Sequence, residues 1–289
     1  MVTLGSVFRP QLPPERLRAV VRAAEEAGLA QLWLWEDCFF EGGIATAAAA
    51  LAWSDRVAVG IGVLPLPLRQ VTLTAMEVAT LARLAPGRSL VGFGHGVQDW
   101  MGQAGARVES PLTLMREQLT ALRALLRGER VTSAGRYVTL DDVALEWPPA
   151  SPLPLFVGTT GAKSLALSGE LADGTVLSAG ITADGVRRAR RLIDDGRERA
   201  GRHDHHQVVV NLHAATGVGA GERLAAELQD CYGQVDPAQG VAGDANAVAA
   251  AVRALADAGA DVVVLQPTPD DPDQEGFVAF AAEAVAPLL

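Results

Sequence analysis

Gly87-Arg88-Ser89-Leu90-Val91-Gly92-Phe93-Gly94-His95-Gly96-Val97-Gln98-Asp99-Trp100 decides how this chain is read. The stretch opens as a short apolar strand, 90–93. It closes in alternating glycines around one titratable side chain, His95. Glycines at a strand's C-terminal end let backbone approach a ligand, because no Cβ holds it off. A lone imidazole there exchanges protons near neutral pH. The pattern fits the floor of an active site or an ordinary tight turn, and the rest of the chain must choose.

Outward from this stretch, strand and helix signals alternate. Upstream, β-rich runs at 2–8, 31–35 and 56–64 are separated by helical patterns at 13–27, 44–53 and 72–84. In the first helix Leu17, Val20, Val21, Ala24 and Ala27 share a face, and Gly28 ends it. In the third, Leu73, Met76, Leu81 and Leu84 are expected to face inward. Downstream come a helix at 112–126 and an irregular segment, 128–152, read as an insertion with a short hairpin at 131–138 around Ala134-Gly135. Strands then follow at 155–157, 175–178, 207–213 and 261–265. Their helices are read at 162–172, 183–200, 222–231 and 275–286, with a further capped helix at 244–258.

Strands that alternate with helices require crossover connections and a parallel sheet. Eight such units in 289 residues predict an α/β fold, a single (β/α)8 TIM barrel over residues 1–289, with an insertion between strands 4 and 5. The alternative, a doubly wound open sheet, wants a phosphate-binding glycine loop after its first strand. Here Gln11-Leu12-Pro13 follows instead, and Gly92/Gly94 fail the dinucleotide spacing because position 97 is Val.

Composition narrows the function. Hydrophobic residues make up 49% of the chain and charged residues 20%, enough for a large core. A net charge of −10 argues against a nucleic-acid partner. No apolar run reaches the ~18 residues that span a bilayer. Residues 1–10 lack a signal-peptide pattern. Cys38 and Cys231 are too few for a disulfide scaffold or a structural zinc site. The expectation is a soluble, cytoplasmic enzyme with a small-molecule substrate and no metal. Lys163 is the one lysine among 24 basic residues.

In a barrel, chemistry lies where strands end. Glu36-Asp37-Cys38-Phe39-Phe40 follow strand 2, Gly62-Val63 close strand 3, and Gly94-His95-Gly96 close strand 4. Gly158-Thr159-Thr160-Gly161-Ala162-Lys163-Ser164 follow strand 5, Ser178-Ala179-Gly180 strand 6, and His213 strand 7. The loop after strand 5 is the best anion site: two glycines, two hydroxyls, and free N–H groups of the helix that opens at Ala162. Glu36 and Asp37 suit proton handling, or one of them caps the next helix. His203-Asp204-His205-His206 looks like a metal cluster but sits at the opposite end and is read as a solvated loop. The run Arg187, Arg188, Arg190, Arg191 is read as an exposed helix face.

With these residues placed, the chain resembles the luciferase-like monooxygenase superfamily, closest to the branch that uses coenzyme F420. The resemblance is carried by WLWEDCFF at strand 2, APGRSLVGFGHGVQDWMGQAG at strand 4, LFVGTTGAKSLALSGELADGTVLSAG at strands 5 and 6, and VAGDANAVAAAVRALADAGADVVVL near the end. It implies a homodimeric barrel with the coenzyme over the C-terminal rim. It also implies a non-proline cis peptide at Gly62-Val63, and phosphate contacts from Thr159, Gly161, Ala162 and Lys163; Thr160, Gly62, Val63, Gly94 and Ser178 complete the expected cofactor-binding set. Asp37 matches an aspartate of some F420 dehydrogenases, and His95 falls where some carry an acidic proton donor. Cys38 stands where the sugar-phosphate dehydrogenases carry histidine, which counts against that substrate.

The expected function is hydride transfer between F420 and a small organic substrate. His95 would be the proton donor or acceptor, with Asp37 or Glu36 orienting it or the substrate. An FMN-dependent monooxygenase is the alternative; a barrel that binds a flavin or F420 without turnover is the third reading. His95 is expected to stand apart from the phosphate loop.

Overall fold

The computed structural model describes residues 2–289. Eleven strands are present: β1 (Thr3–Val7), β2 (Gln31–Leu34), β3 (Ala58–Pro65), β4 (Ser89–Gly94), β5 (Val131–Ala134), β6 (Thr139–Val143), β7 (Leu155–Gly158), β8 (Gly174–Leu177), β9 (Gln207–Ala215), β10 (Gly240–Ala242) and β11 (Val262–Gln266). Eight of them close a parallel barrel in the order β1, β2, β3, β4, β7, β8, β9, β11, with β11 pairing back onto β1. The barrel read from the sequence is therefore the fold. β5 and β6 form a separate antiparallel hairpin whose turn spans 135–138, later than the expected Ala134-Gly135. β10 lies parallel beside the end of β9.

Alternation along each strand divides the core in two. Trp33 points into the barrel with Val7, Phe156, Val176, Val209, Val262 and Val264. Its neighbours Leu32 and Leu34 point out to the helices. The indole stands edge-on to Phe156 at 6.2 Å between centroids, filling the interior as a packed core. Gly60 makes this possible: a Cβ there would lie 2.3 Å from the Trp33 ring.

Ten helices surround the barrel: α1 (Leu17–Ala27), α2 (Gly43–Ala52), α3 (Val71–Leu84), α4 (Gln98–Gln103), α5 (Pro111–Leu126), α6 (Ala162–Leu171), α7 (Ala183–Arg199), α8 (Ala220–Tyr232), α9 (Ala245–Asp257) and α10 (Gln274–Ala279). The outer ring is α1, α2, α3, α5, α6, α7, α9 and α10, each against the next, with α9 meeting the Phe280–Val285 continuation of α10. Two helical expectations are corrected. The helix read at 222–231 is not the ring helix of its strand; α9 takes that place, and α8 packs on β9 and β10. In α3 the buried face is Val71, Thr74, Ala75, Val78, Ala79 and Leu81, so Leu81 alone of the expected four is buried. Leu73, Met76 and Leu84 are more than half exposed. Small residues at 75 and 79 let this helix lie close to the sheet, which turns the bulky stripe outward.

The basic and histidine-rich segments also differ from their reading. His206 is buried, with Nε2 2.8 Å from the Thr175 hydroxyl. Arg190 is half-buried and donates to the His206 carbonyl at 2.7 Å. His203 and His205 are exposed. No helix is long and apolar enough to cross a membrane among the described residues.

Candidate active site

The C-terminal rim gathers the expected residues in two groups. The first lies on β3, β4 and β7. A non-proline cis peptide joins Gly62 and Val63, as the resemblance implied, and a second joins Cys38 and Phe39. The β3–β4 register shifts between Ile61 and Leu64, so Val63 sits on a bulge. Its side chain fills the space that three glycines leave. A Cβ on Gly94 would lie 2.6 Å from Val63 Cγ2, and Cβ atoms on Gly92 and Gly158 would lie 2.8 and 2.6 Å from Cγ1. At 92, 94 and 158 the missing Cβ therefore admits Val63, a packing reason that the sequence reading did not give. A Cβ on Gly62 would likewise meet the Trp33 ring at 3.0 Å.

Gly161 behaves differently. Nothing lies within 4 Å of a Cβ built there, and its backbone is ordinary extended (φ −75°, ψ 139°). It is the N-cap of α6 and supplies no side-chain cap. The first N–H groups of α6 therefore point, uncapped, into an open space flanked by exposed Thr160, Ala162 and Lys163 and half-buried Thr159. Lys163 makes no ion pair among the described residues. A phosphate fits this donor set. Ser178 is exposed just beyond β8.

His95 follows β4 and reaches the same helix: its Nε2 lies 2.8 Å from Ser164 Oγ in the first turn of α6. The proton-exchange candidate is therefore coupled to the anion loop, not apart from it as expected. Burial pushes the His95 pKa below the usual histidine range, partly offset by the Pro111 carbonyl, so the ring is neutral at pH 7. Its Nδ1 is buried, and among the described residues no contact to it meets full hydrogen-bond geometry.

The second group lies on β1, β2, β9 and β11. Glu36 and Asp37 both follow β2 but do different things. Glu36 accepts from the Gly43 amide at 2.7 Å and takes Arg69 in a fork at 3.1 and 2.5 Å, while Arg69 also holds Glu77 at 2.8 Å. Its carboxylate anchors the start of α2 and the β3–α3 loop. Asp37 makes no side-chain hydrogen bond or ion pair among the described residues. Burial raises its pKa, and nearby Arg9 offsets only part of that.

Sequence reading missed a buried network behind Asp37. Arg9, after β1, donates to Glu227 of α8 at 2.9 Å and to the Pro267 carbonyl at 3.3 Å. Its guanidinium also lies 5.3 Å from the Trp35 ring centroid. Tyr232 Oη donates to the Ala179 carbonyl at 2.7 Å, and His213 Nε2 lies 3.0 Å from that oxygen. Gln266 Nε2 lies 3.3 Å from His213 Nδ1. Since the tyrosine proton goes to Ala179, this pattern assigns the His213 proton to Nε2. Burial, helped by Arg9, lowers the His213 pKa to about 4. His213, Glu227 and Cys231 hold ligand atoms within 4.8 Å of one another. Arg9 already neutralises Glu227, and both His213 nitrogens are occupied, so the cluster is a hydrogen-bonded brace. It ties α8 to the ends of four strands.

A cavity of about 770 Å³ opens at the other end of the barrel, lined by Arg123, Leu155, Asp173 and Arg202. Asp173 pairs with both arginines there, at 2.9 and 2.8 Å.

Comparison with known proteins follows the same lines. A family model described as luciferase-like monooxygenase matches residues 3–261. The chain is 28% identical over 217 residues to a 5,10-methylenetetrahydromethanopterin reductase of Methanolobus tindarius, across 75% of this chain and 66% of that protein. It is 33% identical over 198 residues to an F420-dependent glucose-6-phosphate dehydrogenase of Beutenbergia cavernae, across 62% and 57%. These alignments span less than two thirds of either relative's length. Among solved structures, the coenzyme F420-dependent tetrahydromethanopterin reductase of Methanopyrus kandleri superposes with a TM-score of 0.85, covering 99% of both chains at 22% identity. That likeness is one of fold.

Proposed function

From the premise that this chain belongs to the luciferase-like monooxygenase family, we propose that it is an oxidoreductase using coenzyme F420 with a small organic substrate. The observation that carries the reading is the uncapped N-terminus of α6 at Gly161, open to an anion and adjoining His95. The names of the similar reductases and dehydrogenases support F420 over FMN.

In this reading Thr159, Thr160, Gly161, Ala162 and Lys163 hold the coenzyme phosphate. Val63, on its bulge, lies between this loop and the barrel interior; Gly62 and Gly94 make room for the packing rather than touching the coenzyme. Ser178 lines the neighbouring strand end. When bound, the coenzyme would give or take the hydride. The chain supplies orientation and a proton. Asp37 is the proton donor of choice, since a carboxyl with a raised pKa and no partner is free to give one up. His95, a neutral imidazole bonded to Ser164 at the start of α6, accepts or returns a proton beside the anion loop. Glu36, held by the Gly43 amide and by Arg69, positions the loop that carries Asp37.

The same reading has the enzyme work in the cytoplasm as a homodimer. Both cysteines are free, as a reducing compartment would keep them. The exposed Leu73, Met76 and Leu84 on α3 form an apolar stripe of the kind that marks protein contacts. Fluorescence-quenching titration of the purified protein with F420 and with FMN tests the assignment. Micromolar or tighter F420 binding with weaker FMN binding is expected. Tight FMN binding with oxygen consumption would replace the assignment with a monooxygenase. Binding of neither would overturn it.

A further inference from the structure

The rim that faces Asp37 differs in chemistry from the anion loop. Exposed apolar side chains stand in the loops around the whole rim, with Phe39 and Phe40 shortly after Asp37 beyond β2, Leu68 after β3, Val97 after β4 and Val218 after β9. Phe39 and Phe40 are 68% and 55% exposed. Away from the rim, large exposed apolar residues are confined to α3, Trp147 and the C-terminal Leu288, apart from the α8 end at Tyr232 and Val235. Water-facing phenylalanines side by side on a loop beside a candidate catalytic carboxyl suit an apolar ligand body.

The charges on this side point the same way. Asp37, Glu41 and Asp270 stand at or near the ends of β2 and β11 and make no ion pair among the described residues. Burial and the nearby Asp37 charge both act against ionisation of Glu41. The basic groups here are committed. Arg9 holds Glu227, Arg69 holds Glu36 and Glu77, and Arg223 donates to the Thr216 and Val218 carbonyls at 2.7 and 2.6 Å. Arg223 and Lys163, the latter on the loop assigned to the coenzyme phosphate, make no ion pair among the described residues, but both terminal nitrogens of Arg223 are spent on carbonyls, so no guanidinium fork is open. A phosphorylated or carboxylated substrate would meet acidic groups and find no free guanidinium to receive it.

We infer that the substrate of this site is an uncharged or cationic molecule with an apolar body, held over Phe39 and Phe40, and not a sugar phosphate. The inference rests on the oxidoreductase reading only for the word substrate; the charge and apolar selectivity of the rim can be measured without turnover.

A matched probe pair makes the test. N-phenylnaphthylamine is neutral, and anilinonaphthalenesulfonate is the same aromatic body with an anionic sulfonate. Both are titrated by fluorescence into the protein loaded with F420, and into a Phe39→Ser/Phe40→Ser variant. The neutral probe is expected to bind at least ~10-fold more tightly than the anionic one, and to lose at least ~10-fold in affinity in the variant. Glucose-6-phosphate at millimolar concentration is expected neither to displace it nor to reduce F420. Because both phenylalanines are exposed, the variant should fold normally, and its F420 affinity should match the parent's. Equal or tighter binding of the anionic probe would overturn the inference. So would neutral-probe binding that survives the double substitution, no neutral-probe binding at all, or F420 reduction by glucose-6-phosphate. Failure of the parent to bind F420 would instead remove the coenzyme assignment, and the probe pair can then be read on the protein alone.

Discussion

Gly94→Ala, with and without Val63→Ala, tests how the floor of the candidate site is built. A Cβ at Gly94 would lie 2.6 Å from Val63 Cγ2, with the next atoms at 3.5 and 3.6 Å. One contact is therefore about an ångström too short, and the rest are ordinary. Forcing a methyl into a packed site costs ~1–3 kcal/mol. Val63→Ala removes the offending carbon, and the Gly94 backbone is not in a region that demands glycine, so the double variant should recover most of that loss. The expected coupling between the two substitutions is ~1–2 kcal/mol, measured by urea unfolding as a double-mutant cycle. Gly92→Ala serves as the control. Its Cβ would meet the Ile61 carbonyl oxygen at 2.9 Å as well as Val63 at 2.8 Å, so Val63→Ala should rescue it poorly. Additive losses at Gly94, or equal rescue at both glycines, would refute the packing argument and return these glycines to a ligand-binding role.

Three further outcomes are expected. His206 and His213 both have pKa values lowered to about 4, mainly by burial. The unfolded chain takes up their protons first, so their contribution is complete above pH ~6.5 and falls away toward pH 4, by ~2 kcal/mol each at pH 5; urea unfolding of the parent at pH 7 and 5 should show the loss, and His206→Gln should show a shallower one, whereas identical pH slopes would be contrary. Met76→Asp with Leu84→Asp should convert a dimer to a folded monomer by light scattering, since both side chains are more than half exposed; a monomeric parent, or a variant that stays dimeric, would dismiss α3 as the contact. Asp37→Asn should lower turnover of the first substrate found by ~10²–10⁴-fold while leaving F420 affinity near the parent's, whereas His95→Ala should weaken both, because Nε2 contacts Ser164 of α6; parental turnover in Asp37→Asn would remove it from the mechanism.

The barrel was legible because strand and helix periodicities alternate cleanly, and the helix start at Ala162 because glycines and threonines precede it in the chain. Other features were not local. α3 is apolar around much of its circumference, so periodicity could not tell the stripe packed on the sheet from the one facing outward; only packing singles out Ala75 and Ala79 as the buried contacts. A helical pattern says nothing about which surface a helix covers, so α8 passed for a ring helix. The buried brace draws on positions 9, 213, 227, 232 and 266, which only the closed sheet brings together. A usable signal was there: a buried arginine needs a partner, and Arg9 sits at the end of an apolar strand. The packing role of the glycines at 92 and 94 was not legible either, since the Val63 bulge that fills them comes from another strand.

Gly161→Asp puts the central claim to the most direct test, because it separates fold from coenzyme. An aspartate there fits the extended N-cap backbone and the open space, and it can accept from the free N–H groups of α6. The same carboxylate would occupy and repel the place assigned to the coenzyme phosphate. Fluorescence titration with F420 beside thermal unfolding, on parent and variant, gives both readouts from the same preparations. The account predicts stability unchanged or raised by a few tenths of a kcal/mol, ~0.3 on the usual scale for glycine against aspartate at an N-cap, with F420 affinity lowered by at least ~10-fold. Parental F420 affinity in a folded Gly161→Asp protein would contradict it.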